Sequence, residues 1–169
     1  YACEQCRNFT QGEESPLDYI KSKYVNSGEV RLIWKNYPKK GHPWSTNAST
    51  LLECIHRESP ETFFPAKNSV LSQQSMINRT NLVQKTLKDS ELKGRKEGKI
   101  RECYRNGETL SKVLRQKRVA EELGVLRPPA VIIDDETEKS FWELEGIRER
   151  KEYTWIIEEA KERTEASNY

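Results

Sequence analysis

Residues 124–133 read Gly-Val-Leu-Arg-Pro-Pro-Ala-Val-Ile-Ile, a glycine and a two-proline loop that lead into an apolar run. Gly124 follows an amphipathic helical pattern and is the residue type that most often ends an α-helix. Ala130–Ile133 is apolar and rich in β-branched residues, which predicts a strand. Pro129 stands directly before that strand, and its nitrogen cannot donate to a sheet ladder. The segment therefore predicts a helix, a proline loop and a strand in that order.

Helical and strand-like patterns flank this segment on both sides. Helices are predicted over residues 6–26 (with a break near 12–16), 44–58, 61–73, 78–92, 97–106 and 108–123, and a last amphipathic helix ends near Arg163. Strands are predicted over residues 30–34, 130–133 and 140–147, the last two joined by the acidic turn 134–139. A block of helices between strand-containing parts predicts an α/β protein with a helical insertion.

The charge pattern argues against a nucleic-acid partner. The chain has 169 residues, with 29 basic and 27 acidic side chains and a net charge of +2. Basic runs alternate with acidic neighbours, so no surface has the concentrated positive charge that nucleic acid requires. Four Trp and seven Tyr favour a packed core over disorder, and no stretch approaches the roughly 18 apolar residues that span a bilayer.

The main chemical signal is Cys3-Glu4-Gln5-Cys6 at the start of the first predicted helix. The reactive form of cysteine is the thiolate, and backbone N–H groups at a helix N-terminus stabilise it. A second cysteine three residues later lies one helical turn away and can resolve a mixed disulfide. This spacing predicts a redox pair with Cys3 as the nucleophile. Half of a zinc site is the alternative, but Cys54, Cys103 and the two histidines repeat no ligand spacing.

Taken together, the two motifs resemble the DsbA-like family of thiol–disulfide oxidoreductases. In that family a helix, Gly-Val, two residues, X-Pro and an apolar strand form the cis-proline segment, and the proline faces the C-x-x-C pair. Further stretches are similar to the family in the same order, namely residues 24–34, the link at 38–43, the aromatic segment 63–71 and Leu-Glu-Gly at 144–146. The resemblance covers nearly the whole chain.

The resemblance implies a fold and a domain division. It implies an α/β fold, with a thioredoxin-like sheet in residues 1–42 and 124–169 and an inserted helical subdomain in residues 43–123. Only two residues precede Cys3, so the first strand of that sheet is expected to be missing from the chain. As in some similar proteins, Cys54 and Cys103 are expected to form a structural disulfide between helices of the insertion; two separate buried thiols are the alternative.

The resemblance also implies roles for site residues. Cys3 would attack, Cys6 would resolve, and a cis Pro129 would position the substrate backbone together with Pro128. Pro128 stands where the family usually has a residue with an N–H, so it offers only its carbonyl. The residues between the cysteines, Glu4 and Gln5, would tune the couple. A negative Glu4 beside Cys3 disfavours the thiolate.

The expected activity is dithiol oxidation of cysteine-containing protein substrates, without a metal or an organic cofactor. A membrane redox partner would reset the couple. The expected location is extracytoplasmic, in the periplasm or cell envelope, with or without a membrane tether formed by a segment outside this chain. Two alternatives stay open: the same chemistry run as a reductase or isomerase, and a non-catalytic thioredoxin-fold binding protein.

Overall fold

The structure, a computed structural model, describes residues 1–169 except 13, 40, 43, 136–140 and 168–169. The described residues form eight α-helices and one two-stranded sheet, which confirms the α/β class. The helices are α1 Glu4–Thr10, α2 Pro16–Ile20, α3 Ser45–Glu58, α4 Phe63–Ser72, α5 Leu82–Asp89, α6 Gly94–Arg105, α7 Leu110–Glu122 and α8 Arg150–Ser167, and the strands are β1 Ala130–Asp134 and β2 Phe141–Glu145. A π-helical turn, Lys21–Val25, continues α2, and a 3₁₀ turn, Pro60–Thr62, precedes α4.

The chain divides into two compact units. The first contains Tyr1–Arg7 and Trp34–Gly124, and the second contains Asn8–Ile33 and Val125–Tyr169. The division expected from the sequence placed residues 1–7 and 34–42 with the sheet, whereas in the structure they group with the helices. The reason is packing: Tyr1 and Trp34 lie against the hydrophobic core of the helical unit.

Helix α3 is the centre of the first unit. It packs against α4, α6 and α7, and its buried positions include Ala48, Leu51, Leu52 and Ile55. These four residues share one helical face, and the burial of Thr50, Glu53 and Cys54 extends the buried surface beyond that face, as expected for a helix that is surrounded by others. The helical character of the region is confirmed.

The apolar stripe predicted for α7 is only partly buried. Val113 is inaccessible to solvent, whereas Leu110, Leu114 and Leu123 are exposed. Helix α7 meets α3, and the stripe reaches that neighbour only around Val113. Apolar spacing identified the helix here but overestimated the width of its buried face.

The predicted break in the first helix is confirmed. Ser15 adopts an extended conformation, its hydroxyl accepts the N–H of Asp18 at 3.1 Å, and Pro16 occupies the first turn of α2. Proline is tolerated in the first turn because the backbone N–H that it lacks would have no acceptor within the helix. Gly12 has a φ of +112°, a conformation that glycine adopts at little cost. The chain therefore leaves α1 and starts a second helix.

The strand predicted at Val30–Trp34 is wrong. No described strand pairs with these residues, and the described sheet contains β1 and β2 alone. Ile33 is 54% exposed. A β-branched run becomes a strand only where a neighbouring strand completes its hydrogen bonds, so the local sequence favours the conformation without supplying the partner.

Strands β1 and β2 form an antiparallel pair. Ala130 lies opposite Glu145 and Asp134 lies opposite Phe141, so the two predicted strands are confirmed with slightly different ends. The predicted connecting turn and Ser140 fall mostly outside the described residues. Gly146 N–H donates to the Pro129 carbonyl at 2.8 Å, which continues the pairing one step beyond the ladder.

Helix α8 supports the second unit. It contacts β1 and α2, and Tyr153, Ile156 and Ile157 are buried. Tyr19 and Thr154 share a hydrogen bond of 2.7 Å. The helix extends to Ser167, four residues beyond the predicted end. No helix among the described residues is both long enough and apolar enough to cross a membrane.

Candidate functional site

Cys3 occupies the N-cap position of α1. Its carbonyl accepts the N–H of Arg7 at 3.1 Å, the first hydrogen bond of the helix. Its Sγ accepts the N–H of Cys6 at 3.1 Å, in the way that a serine hydroxyl caps a helix. The Cys3 and Cys6 sulfurs are joined in a disulfide with a Cα–Cα distance of 5.2 Å, and both residues are half-buried. The pair is therefore partly accessible to another molecule.

The charge of Glu4 has a partner on the same helix. Glu4 and Gln5 are exposed, and the Arg7 guanidinium donates to the Glu4 carboxylate at 3.5 Å, one turn along the helix. Both side chains are accessible to water, so the pair is weak. Arg7 directly follows Cys6 in the chain and carries the opposite charge to Glu4, so it is expected to oppose the effect of Glu4. The i, i+3 spacing of Glu4 and Arg7 is readable from the sequence.

Tyr1 anchors the chain just ahead of Cys3. Its phenol donates to the Asn36 side-chain oxygen at 2.8 Å and accepts the indole N–H of Trp34 at 3.1 Å. Burial raises the pKa of the Tyr1 phenol well above its ordinary value, so the phenol stays a donor. The Lys67 Nζ lies 4.3 Å from the centre of the Trp34 ring, a cation–π contact.

Asn36 connects this anchor to a buried carboxylate on α3. The Asn36 side-chain NH₂ donates to Glu53 at 2.8 Å and to Gln116 at 2.9 Å. Gln116 also donates to Glu53 at 2.9 Å, and the Lys112 Nζ lies 2.5 Å from the second Glu53 oxygen. Glu53 is only 4% exposed, and these contacts satisfy a charge that would otherwise be costly to bury. Sequence spacing does not reveal this network because its members come from distant parts of the chain.

The proline segment lies in the second unit. The Pro128–Pro129 peptide bond is cis, and it is the one cis bond among the described residues. Pro129 is buried and Pro128 is half-buried. The Pro129 carbonyl is held by the Gly146 N–H, and β1 begins at the next residue. The segment has the order expected from the sequence.

A carboxylate at the end of β2 holds the loop before the prolines. One oxygen of Glu145 accepts the N–H groups of both Leu126 and Arg127, the latter at 2.9 Å. The Arg127 Nε lies 3.6 Å from the other oxygen. The two backbone hydrogen bonds lower the pKa of Glu145 from its ordinary value, with a smaller contribution from the positive charge of Arg127. Glu145 is assigned only a place in the Leu-Glu-Gly motif by sequence analysis.

Cys54 on α3 and Cys103 on α6 are joined in a second disulfide. Their Cα atoms are 6.0 Å apart, and both residues are inaccessible to solvent. The Thr109 hydroxyl lies 3.4 Å from Cys54 Sγ and donates to the Thr50 carbonyl at 2.8 Å. This pair differs from the Cys3–Cys6 pair in burial, because both of its residues are 0% exposed, whereas Cys3 and Cys6 are half-buried.

The structure thus brings the predicted residues together in three groups. Cys3, Glu4, Gln5 and Cys6 form the start of α1, Pro128 and Pro129 form the loop before β1, and Cys54 and Cys103 join two helices. The first and third groups belong to the first unit, and the prolines belong to the second. Within the described residues, His, Cys, Asp and Glu form no cluster of three with the arrangement of metal ligands.

Comparison with known proteins identifies a family. Residues 1–158 match the family model described as thioredoxin. No curated protein matches the chain.

Two solved proteins are similar to this chain over nearly its whole length. Alpha-DsbA1 of Wolbachia pipientis gives a TM-score of 0.77 at 22% identity, with 99% of this chain and 85% of that chain covered. A variant of that protein with two cysteines replaced by alanine gives a TM-score of 0.78 at 21% identity, with coverage of 99% and 84%. ScsC of Proteus mirabilis, in a compact conformation, gives 0.64 at 19% identity, with coverage of 93% and 78%. These likenesses show the fold.

Proposed function

Because the chain belongs to the thioredoxin family, we propose that it is a thiol–disulfide oxidoreductase that acts on proteins through Cys3 and Cys6. The observation that carries the proposal is the hydrogen bond of 3.1 Å from the Cys6 N–H to Cys3 Sγ. The same N–H would stabilise a Cys3 thiolate, and a stabilised thiolate is both the better leaving group and the more abundant nucleophile at neutral pH.

The proposed reaction is oxidation of a substrate dithiol. A substrate thiolate attacks Cys3 Sγ, the Cys3–Cys6 bond breaks, and Cys6 leaves as a thiolate that takes up a proton. A second substrate thiolate then attacks the substrate sulfur of the mixed disulfide and releases the Cys3 thiolate. The substrate loses two electrons and gains a disulfide, and the Cys3–Cys6 pair is reduced to two thiols.

The direction of exchange depends on how strongly the Cys3 thiolate is stabilised. The Cys6 N–H and the Arg7 guanidinium favour the thiolate, and Glu4 opposes it. Gln5 adds no charge. Since Glu4 is paired with Arg7, we propose that the balance favours a dithiol oxidase, with a reductase or isomerase as the alternative.

Pro128 and Pro129 are the proposed substrate-binding residues. Neither has a backbone N–H, so substrate main chain at this point can be recognised only through carbonyl acceptors and side-chain contacts.

A non-catalytic binding protein is favoured by the same observation, because a substrate strand receives no donor from Pro128. An insulin reduction assay separates the two: a binding protein leaves insulin disulfides intact.

The proposed compartment is extracytoplasmic, in the periplasm or cell envelope. The buried Cys54–Cys103 pair supports this, since structural disulfides form and persist in oxidising compartments. A dithiol oxidase needs an electron acceptor after each cycle, and a membrane redox partner that removes two electrons from reduced Cys3 and Cys6 would supply it.

The reduction potential of the Cys3–Cys6 couple tests the direction. Equilibration with glutathione buffers, followed by mass analysis of the α1 peptide, gives the potential directly. We expect a value nearer the roughly −120 mV of strong oxidants than the roughly −270 mV of thioredoxin-type reductants. A value near the reductant end would support the reductase alternative.

Trapping a mixed disulfide tests the roles of the two cysteines. With an unfolded substrate protein that contains disulfides, Cys6→Ala should accumulate a mixed disulfide: the Cys3 thiolate attacks a substrate disulfide and releases one substrate thiolate, and no Cys6 thiol remains to resolve the complex. Cys3→Ala is the matched control and should trap far less. A preference for trapping by Cys3→Ala, or alkylation of reduced protein first at Cys6, would reverse the assignment.

A further inference from the structure

The loop before β1 has few backbone donors. Of its residues 126–129, Pro128 and Pro129 lack an N–H. The remaining two N–H groups, of Leu126 and Arg127, both donate to one oxygen of Glu145. Every main-chain donor of this four-residue loop is therefore either absent or bound to that carboxylate.

Glu145 is well placed to fix this loop. It lies at the end of β2, directly opposite Ala130 in the ladder, and its side chain is only 22% exposed. The next residue, Gly146, donates its N–H to the Pro129 carbonyl at 2.8 Å. The end of β2 thus holds the loop on both sides of Pro128. The Glu145 side chain binds the two residues before it, and the Gly146 main chain binds Pro129 after it.

The held loop presents exposed side chains on a fixed backbone. Leu126 is 78% exposed, and the Arg127 side chain is also largely in solvent. Val125, just before them, is buried and anchors the other end of the loop. A loop with two adjacent exposed side chains ordinarily samples several conformations, and charge-assisted hydrogen bonds to both N–H groups restrict it to one.

We propose that Glu145 is a positioning residue for substrate binding: its carboxylate fixes Leu126 and Arg127 so that the loop meets a protein substrate already ordered. The inference deepens the proposed function and rests on it, since it assigns Glu145 to the binding of the same substrates. The contacts that assign this role are those of the Glu145 carboxylate with the Leu126 and Arg127 N–H groups of the loop. Loss of Glu145 should therefore weaken substrate binding and leave the thiol chemistry unchanged.

Kinetics of a Glu145→Ala variant separate these effects. With reduced, denatured ribonuclease A as substrate and oxidised glutathione as the electron acceptor that regenerates the Cys3–Cys6 disulfide, we expect KM to rise about tenfold, equivalent to about 1.4 kcal/mol, with kcat unchanged. Exchange with dithiothreitol, which is too small to need the loop, and the Cys3–Cys6 potential should match wild type. Glu145→Gln keeps an oxygen that can accept both N–H groups, and its KM should stay within about threefold of wild type. Glu143→Ala, an exposed residue on the same strand, is the matched control.

Amide hydrogen exchange tests the contact itself. The N–H groups of Leu126 and Arg127 should exchange at least about tenfold faster in Glu145→Ala than in wild type and Glu143→Ala. If Glu145→Ala does not fold, Glu145→Asp carries the same measurements, because its shorter side chain cannot reach both N–H groups.

The outcomes are distinct. Unchanged KM and unchanged exchange in Glu145→Ala, with wild type active, overturn this inference and leave the proposed function standing. A fall in the dithiothreitol rate or a shift of the potential in the folded variant also overturns it, since Glu145 would then act on the cysteines. Absence of exchange by wild type with both substrates overturns the proposed function, and the substrate-binding role of Glu145 falls with it.

Discussion

At the residue scale, we expect the charges of Glu4 and Arg7 to influence the reactivity of Cys3. Glu4 and Arg7 lie on the first turn of α1 and pair at 3.5 Å. Each would affect a Cys3 thiolate in the opposite direction, and their pairing means that neither acts at full strength. We therefore expect two residues to tune this cysteine pair, of which the C-x-x-C motif contains only Glu4.

Single substitutions of this pair should change the rate of alkylation in opposite directions. Glu4→Gln should speed the reaction of Cys3 with iodoacetamide near neutral pH, and Arg7→Ala should slow it, each by about two- to fivefold. The reason is that exposed charge interactions contribute roughly 0.2–1 kcal/mol. Arg101→Ala, which breaks a similar pair with Glu97 on α6, is the control and should have no effect. Changes of the same sign for Glu4→Gln and Arg7→Ala would contradict the electrostatic explanation.

Asn36 is the residue on which the buried polar network depends. It is 2% exposed, accepts from Tyr1 and donates to Glu53. Asn36→Ala should lower the free energy of unfolding by roughly 2 kcal/mol, because the Tyr1 phenol and the Glu53 carboxylate each lose a partner in a buried site. Urea unfolding monitored by Trp fluorescence measures this. Asn106→Ala, which removes an exposed amide, should change it by less than about 0.5 kcal/mol, and equal effects of the two substitutions would refute the prediction.

At the element scale, the entry into α2 depends on its capping residue. Ser15→Ala removes the hydroxyl that accepts the Asp18 N–H and should cost about 1 kcal/mol of stability. Ser22→Ala is the comparison, because its hydroxyl is exposed and donates only to the Tyr19 carbonyl. Chemical denaturation of both variants checks the difference. A smaller loss for Ser15→Ala than for Ser22→Ala would mean that Pro16 alone starts the helix.

The elements also show where sequence reasoning succeeded. The break before Pro16 and the helix–loop–strand order around Gly124 were predictable because turn and capping preferences act over a few residues. The strand at Val30–Trp34 was not, since strand formation depends on a partner elsewhere in the chain. The cysteine pair was likewise visible as a motif. The roles of Asn36 and Glu145 were hidden because each depends on groups far away in sequence.

A cluster of charges links Glu29, which follows the π-helical turn, to α8, and it predicts that the stability of the protein depends on pH. Lys161 pairs with Glu29 at 2.5 Å and with Glu158 at 3.1 Å, and its hydrogen bonds lower the pKa of both carboxyl groups. Groups with a lowered folded-state pKa contribute stability above their unfolded pKa, and that contribution is lost as the pH falls through the folded value.

Lys161→Met should therefore destabilise the protein at about pH 7, and the difference from wild type should shrink towards about pH 3 as the carboxylates become protonated. Urea unfolding at both pH values gives the two differences. Lys93→Met replaces an exposed lysine and should show no such trend. A Lys161→Met effect that is equal at both pH values would indicate lost packing rather than lost charge pairing.

For the whole molecule, we expect the Cys54–Cys103 disulfide to stabilise the fold and the Cys3–Cys6 disulfide to carry out thiol–disulfide exchange. Cys54 and Cys103 are separated by 49 residues, and closing a loop of that length stabilises by roughly 4 kcal/mol in the chain-entropy relation. The Cys54→Ala/Cys103→Ala variant should unfold at much lower denaturant and still exchange disulfides at 25 °C or below. The Cys3→Ala/Cys6→Ala variant should show the reverse, with little loss of stability and no exchange. Similar losses of activity in both variants would place Cys54 and Cys103 in the chemistry.

The covalent bond between α3 and α6 also encloses α4 and α5 in a ring of main chain. The connection between α4 and α5 carries Met76, which is 58% exposed, and such exposed turns are the preferred targets of proteases. A single cut there would open the ring without dividing the molecule, because the sulfur bridge still ties both fragments together. The nicked protein would migrate as one band without reductant and as two bands with it. Digestion in this turn would thus stay invisible to any separation by size until the bridge is reduced.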